Sequence, residues 1–331
     1  MDVTPDGDPG ARPAAAPIAL QGLRKQYEDG TVAVAGLSLE VAAGELMVLI
    51  GPSGCGKSTV LRMVNRLIEP TAGRILLAGE DVTTADPVQL RRRIGYVIQH
   101  VGLFPHQTIR ANVGTVPKLL GWPKARIRQR ANELLDLVGL DPSRYGRRYP
   151  HELSGGQRQR VGVARALAAD PVVLLMDEPF SAVDPIARAR LQEEFLRLQA
   201  DVRKTIILVT HDLDEAVRLG DRIAVLSEGA HLEQYAPPGE LLGAPATPFV
   251  AEFVGADRGI RRLAVTPLSR DMLRNESEVD VTARQPEVPL DASLYDALAA
   301  MLTADADYAT VTEDGRPIGV VSRHRVLSAP R

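Results

Sequence analysis

Residues 51–59, "GPSGCGKST", set glycines, one lysine and two hydroxyls at a spacing suited to holding a polyphosphate. Gly51, four residues, Gly56, Lys57 and Ser58 fit the phosphate-loop pattern, with an apolar strand pattern before them and a helical one after. Gly51, Gly54 and Gly56 free the backbone to wrap phosphates. Lys57 neutralises charge on the outer phosphates, and the Ser58 hydroxyl can ligate Mg²⁺. Pro52, Ser53 and Thr59 complete the loop, and Cys55 reads as a small filler, redox sensing being the minority reading. The stretch "VVLLMDEP" supplies acids. Asp177 ends an apolar run, where a carboxylate can hold the Mg²⁺ shell, and Glu178 is placed to polarise a water. Gln99 closes "IGYVIQ" and could reach metal or water; His211 closes "TIILVT" and could touch a γ-phosphate. Taken alone, a Gln or His at a strand end is more often structural. No His, Cys or carboxylate set has zinc-like spacing, and no Ser–His–Asp arrangement is indicated.

A second anion cradle lies a hundred residues on, in "LSGGQRQR". Ser154 is a natural N-cap, Gln157 completes a capping box, and Gly155 and Gly156 bare the N–H groups between them. A helix N-terminus of this kind attracts phosphate.

The elements that must position these groups follow from hydrophobic periodicity. Strand patterns at "IALQGLRKQY", "TVAVAGLSLEV", "LMVLI", "GRILLAGEDV", "IGYVIQ", "VVLLM", "TIILVT" and "RIAVLS" alternate with helical ones. Such alternation argues for an α/β protein with a mostly parallel sheet covered on both faces. Residues 108–148 read as a helical insertion, and a long helix is expected over 185–201. Arg91-Arg92-Arg93 read as a helix C-terminus complementing its dipole. The 331 residues carry a net charge of −3, which argues against broad attraction to nucleic acid. The single cysteine excludes an intrachain disulfide, as in a reduced cytosolic chain, and no apolar run is long enough to span a bilayer. Residues 1–16 read as a disordered lead rather than a signal peptide. A change of composition after "PFVAEFVGADRG" places a boundary near Asp257.

Taken together, the phosphate loop 51–59, Gln99, "LSGGQ" 153–157, "LLMDEP" 174–179, "SAVD" 181–184 and His211 resemble, in order, the motifs of the ATP-binding subunit of ABC transporters. The resemblance covers roughly residues 18–255. It implies a P-loop NTPase core with an N-terminal antiparallel β subdomain and a helical subdomain at about 100–165, together spanning 17–257. It also implies a homodimer packed head to tail, each ATP with its Mg²⁺ lying between one chain's phosphate loop and the other's "LSGGQ". Tyr27 takes the place of the adenine-stacking aromatic, Asp184 links the two sites across the dimer, and Ser58, Gln99 and Asp177 surround the metal. Residues 100–113, with Phe104, Pro105 and His106, would meet a membrane permease subunit at the cytoplasmic face of the cell membrane.

Narrower wording in "IGYVIQHVGLFPHQTI" and "YPHELSGGQRQRVGVARALAADP" resembles the importer branch for quaternary ammonium solutes, which uses an extracytoplasmic solute-binding protein. A soluble ABC ATPase, or an importer of an amino acid or ergothioneine, is the alternative. Residues 258–331 form a linker and a small α+β domain, of which 288–328 resemble one CBS repeat. Residues 260–280 are too short for a first repeat, and Arg325 stands where the family's nucleotide-binding Asp would be. The expectation is a dimerising or regulatory tail without nucleotide; a sensor built by two chains, or a vestige, are the other readings.

Overall fold

Three short runs are buried at every position, Leu46–Ile50, Val173–Asp177 and Thr205–Val209, and Arg222–Ser227 is buried at its four middle ones. Strands buried on both faces pair in parallel and need helices above and below them. The computed structural model, which describes residues 15–99, 102–181, 183–274 and 285–328, has that arrangement. In chain order the first strands are β1 (Ile18–Gln26), β2 (Val32–Val41), β3 (Leu46–Ile50), β4 (Ala72–Leu77) and β5 (Glu80–Asp81). They are followed by β6 (Ile94–Val97), β7 (Val173–Asp177), β8 (Thr205–Val209) and β9 (Arg222–Ser227). The parallel sheet runs β9-β3-β8-β7-β6. Its register sets Leu49 and Asp177 both beside Val209, and Val97 beside Met176. The carboxyl ends of four strands therefore share one edge, which is where open α/β sheets hold ligands.

An antiparallel sheet of order β2-β1-β4-β5 stands at the N-terminal side of the chain. "GRILLAGEDV" is not one strand but two, because Ala78 and Gly79 take left-handed φ of 55° and 81° and turn the chain back. Ala16, assigned above to the lead, belongs to the core. It is buried, and the Thr205 hydroxyl donates to its carbonyl at 2.8 Å. Residues 1–14 of the lead lie outside the described residues. Helix Pro87–Arg93, capped by Asp86, ends in the three arginines as expected.

Between β6 and β7 the chain forms helices Ile109–Val113, Thr115–Leu119, Lys124–Leu137, Pro142–Tyr145 and Gly155–Leu167. Asn112, fully buried, knits the segment before them: its side-chain N–H groups donate to the carbonyls of Phe104, Gln107 and Thr108, and its Oδ1 accepts from the Phe104 amide. The expected long helix is Pro185–Val202.

Leu213–Arg218 and Glu233–Arg331 make a second compact unit, which the chain enters within β10 (His231–Ala236). The boundary expected near Asp257 falls inside this unit. Helices Pro238–Gly243 and Arg258–Val265 pack together there, and Arg261 binds both Asp214 (2.9 Å) and Asp257 (3.0 Å). Farther on, β11 (Glu287–Pro289) pairs in parallel with β12 (Tyr308–Glu313), which pairs antiparallel with β13 (Arg316–Ser322). Helix Leu294–Thr303 precedes β12 and helix Arg323–Leu327 follows β13. Leu268, Met272, Val288, Leu294, Met301 and Val311 form part of their common core.

Candidate nucleotide site

β3 delivers the chain at the sheet edge into residues 51–56, and helix Lys57–Val64 leads away from them. The loop can be built only with glycine at two of its corners. A Cβ on Gly51 would lie 2.1 Å from the Leu226 carbonyl oxygen, and one on Gly56 would lie 2.4 Å from that of Ala33. Gly56, at φ 111°, is the helix N-cap and offers no side-chain acceptor, so the first N–H groups of the helix remain for a ligand. Lys57 is 6% exposed and its ammonium donates to the carbonyls of Gly51 (2.7 Å) and Pro52 (2.8 Å). Cys55 is buried within 3.7 Å of that ammonium, which fits a filler; Pro52, Ser53 and Gly54 face outward. The loop thus holds a buried cation on two of its own carbonyls, beside the first N–H groups of the helix, the combination a polyphosphate requires.

Ser58, one residue into the helix, donates from its hydroxyl to Asp177 Oδ1 at 2.9 Å. This pairs two oxygens suited to a hard divalent cation. Thr59 follows, half-buried. Glu178 comes next after Asp177 and adopts φ 46°, a left-handed conformation unusual for glutamate. The turn is held because the Glu178 amide donates to Val209 and its carbonyl accepts from the amide and hydroxyl of Ser181. Strain kept at such a point is a mark of a functional side chain. The Gln99 amide donates to Glu178 Oε2 at 2.9 Å, and His211 Nδ1 lies 3.3 Å from Oε1. Four residues predicted from three separate stretches, Gln99, Asp177 with Glu178, and His211, therefore meet at one edge with Ser58. Gln99 and His211 lie two residues beyond their strands rather than ending them.

The second cradle is formed as its sequence dictates. Ser154 accepts from the Gln157 amide at 3.2 Å, and the Gln157 side chain accepts from the Ser154 amide at 3.0 Å. Ser154, Gly155, Gly156 and Gln157 line an open groove of about 660 Å³ together with Val183, Asp184 and Ile186. No residue of 51–59 lines it. Asp184 N-caps helix Pro185–Val202, accepting from the Ala187 amide at 3.0 Å. Ile186 beside it is 74% exposed. The groove at the second cradle is therefore separate from the phosphate loop of the same chain.

Tyr27 is exposed in the turn between β1 and β2, with the Lys25 ammonium 5.2 Å from its ring centre. The close approach of Ala33 to Gly56 sets this hairpin beside the phosphate loop. Phe104 is 41% exposed and its ring lies 6.0 Å from that of His106. His100, Val101 and Ala182 lie outside the described residues. Two supporting residues escaped the sequence reading. Arg188 donates to the Val183 carbonyl at 3.1 Å and pairs with Asp212 at 3.5 Å, joining the segment of Asp184 to the residue after His211. Tyr96 sits against Asp177 and Arg62; burial first, and then the Asp177 charge, raise its phenol above the usual range. No local spacing in the sequence pointed to either.

The geometry defines a nucleoside triphosphate hydrolase of the phosphate-loop kind. Residues 34–181 match the ABC transporter family model. The chain is 50% identical to the osmoprotectant import ATP-binding protein OsmV of Salmonella typhimurium, covering 94% of this chain and 81% of that one. It is 49% identical to the choline transport ATP-binding protein OpuBA of Bacillus subtilis over 90% and 76% of the two chains. Among solved structures, the dimeric cassette MJ0796 bound to ADP and Pi matches with TM-score 0.60 and 32% identity, covering 67% of this chain and 98% of that one. The chain belongs to the ABC transporter family, as an ATP-binding subunit that hydrolyses ATP.

Proposed function

We propose that this chain powers the import of quaternary ammonium osmoprotectants of the glycine betaine, choline and carnitine type. The observation that carries the reading is identity at 50% with an osmoprotectant import subunit over 94% of the chain, a span that must include part of the tail.

Two copies pack head to tail, and each ATP lies between the loop 51–59 of one and the Ser154 helix of the other. Lys57 and the N–H groups of its helix hold the phosphates. Ser58 and Asp177 would hold Mg²⁺, which when bound would offset phosphate charge. Glu178 takes up the attacking water as base, its carboxylate fixed by Gln99 and His211. Tyr27 stacks on adenine, and Asp184 connects the two sites. Loss of the γ-phosphate removes charge-assisted contacts to both chains, so hydrolysis reopens the dimer.

Among the described residues no helix is long and apolar enough to cross a membrane; in this reading separate permease subunits carry the solute across. Residues 100–113 are the proposed docking segment at the cytoplasmic face, and an extracytoplasmic solute-binding protein completes the complex; nucleic acid is not a partner. The order β11, helix, β12, β13, helix supports a single CBS-like unit in the tail. Arg325 donates to the Asp271 carbonyl at 2.6 Å and Arg323 pairs with Asp307 at 3.3 Å, which supports a dimerising or regulatory tail rather than a nucleotide site. The test is uptake of radiolabelled choline and glycine betaine by cells under osmotic stress, with and without this subunit. Uptake that disappears on deletion and returns with the wild-type chain, but not with Glu178→Gln, is expected. Unchanged uptake of both solutes would overturn the substrate assignment.

A further inference from the structure

Within the second compact unit, helices Pro238–Gly243 and Arg258–Val265, the start of helix Leu294–Thr303 and the end of helix Arg323–Leu327 line an open groove of about 890 Å³. No residue assigned above to the nucleotide lines it. Its charged lining residues are Arg258 and Arg262, both half-buried, and no carboxylate stands among the described residues that line it. The two arginines are one turn apart on one face of their helix, where like charges repel. The Arg258 side chain makes no hydrogen bond or ion pair among the described residues. Its neighbour Asp257 is taken by Arg261 at 3.0 Å. Arg262 lies against Gly243, where a Cβ would come within 3.2 Å of the guanidinium carbon, so the facing helix makes room for it by lacking a side chain. Ser328, exposed in the same groove, offers a hydroxyl donor, and the half-buried Leu263 and the exposed Leu327 offer apolar surface.

We propose that this groove binds a phosphate monoester, its phosphoryl group between Arg258 and Arg262 and its organic part against Leu263 and Leu327. Two guanidiniums half out of water with no acid between them are costly, and one doubly charged oxyanion offsets both. Guanidinium forks also match the geometry of phosphoryl oxygens. A carboxylate or a sulfate ester brings one charge fewer and leaves the repulsion partly standing. Arg325, at the position where a CBS repeat would bind a nucleotide, does not line the groove, so this is a separate site. An occupant ties the last described helix of the tail to helix Arg258–Val265 and so makes the packing of the tail depend on the ligand.

The test is calorimetric titration of the full chain at pH 8, where a phosphate monoester carries two charges. Every chain carries Lys57→Ala, so that the phosphate loop does not dominate the signal. Phenyl phosphate is expected to bind about tenfold tighter than phenyl sulfate, which has the same shape and one charge fewer, and tighter than inorganic phosphate, which lacks the ring. Adding Arg258→Gln should weaken phenyl phosphate about tenfold or more. Absence of binding, equal affinity for the two esters, inorganic phosphate binding as tightly as the ester, or an affinity that survives Arg258→Gln would overturn the proposal. Should Arg258→Gln fail to fold, Arg258→Lys keeps the charge without the planar fork and should weaken binding severalfold; unchanged affinity would overturn the proposal equally.

Discussion

Glu178 reaches its place through a backbone conformation that glutamate seldom adopts, and its carboxylate is gripped on both oxygens by side chains just beyond the ends of two other strands. A residue fixed in this way is costly to keep for structure alone. Glu178→Gln should retain ATP affinity while its turnover falls by about 100-fold or more, measured as phosphate release at saturating ATP; turnover near wild type would remove Glu178 from the role of base. Lys57→Ala should weaken ATP binding about 10- to 100-fold, since a charge-assisted contact to phosphate is lost. Equilibrium titration with a fluorescent ATP analogue checks this, and unchanged affinity would contradict the loop assignment. At this scale the sequence was informative, because phosphate loops, caps and strand-end acids are local patterns. Arg188 and Tyr96 were hidden, since their partners Asp212 and Asp177 lie far along the chain and no local spacing announces them.

At the level of elements, the phosphate loop depends on close backbone approach. Gly56 and Gly54 both have left-handed φ, 111° and 82°, but a Cβ meets the Ala33 carbonyl oxygen only at Gly56 and has open space at Gly54. Gly56→Ala should therefore destabilise the fold by about 1–3 kcal/mol more than the backbone strain common to both, and Gly54→Ala should cost only that strain. Thermal unfolding compares the two directly, and equal losses would show that contact with β2 does not shape the loop. The strands of the parallel sheet were legible because buried runs of five residues bounded by turn chemistry have few other solutions. The division between β4 and β5 was not, because two adjacent left-handed residues, one of them alanine, leave little trace in an apolar run.

At the scale of the whole molecule, Lys57, Asp177, Glu178 and His211 all lie in the first compact unit, whereas 233–331 belong to the second. A chain ending at residue 265 retains helix Arg258–Val265 on Pro238–Gly243, and it should keep basal ATP turnover while its response to salt departs from that of the full chain, both measured as phosphate release across a salt series. An identical salt profile would argue that the tail regulates nothing. The sequence placed the boundary near Asp257 because composition changes there. The packing of Pro238–Gly243 on Arg258–Val265 is a tertiary contact that composition does not record. What the sequence did record was the presence of two phosphate cradles in one chain, and the groove at the second is lined by no residue of the first. The central claim is that the Ser154 cradle serves the ATP of a second copy, and substitution by aspartate isolates it. Aspartate caps a helix about as well as serine, so Ser154→Asp keeps the fold while placing a negative charge where the partner's phosphate must sit. The deciding measurement is sedimentation of Glu178→Gln with and without ATP and Mg²⁺, alone and combined with Ser154→Asp. ATP should convert the single variant to a dimer and leave the double variant unchanged although it still binds ATP; ATP-driven dimerisation of the double variant would contradict the account.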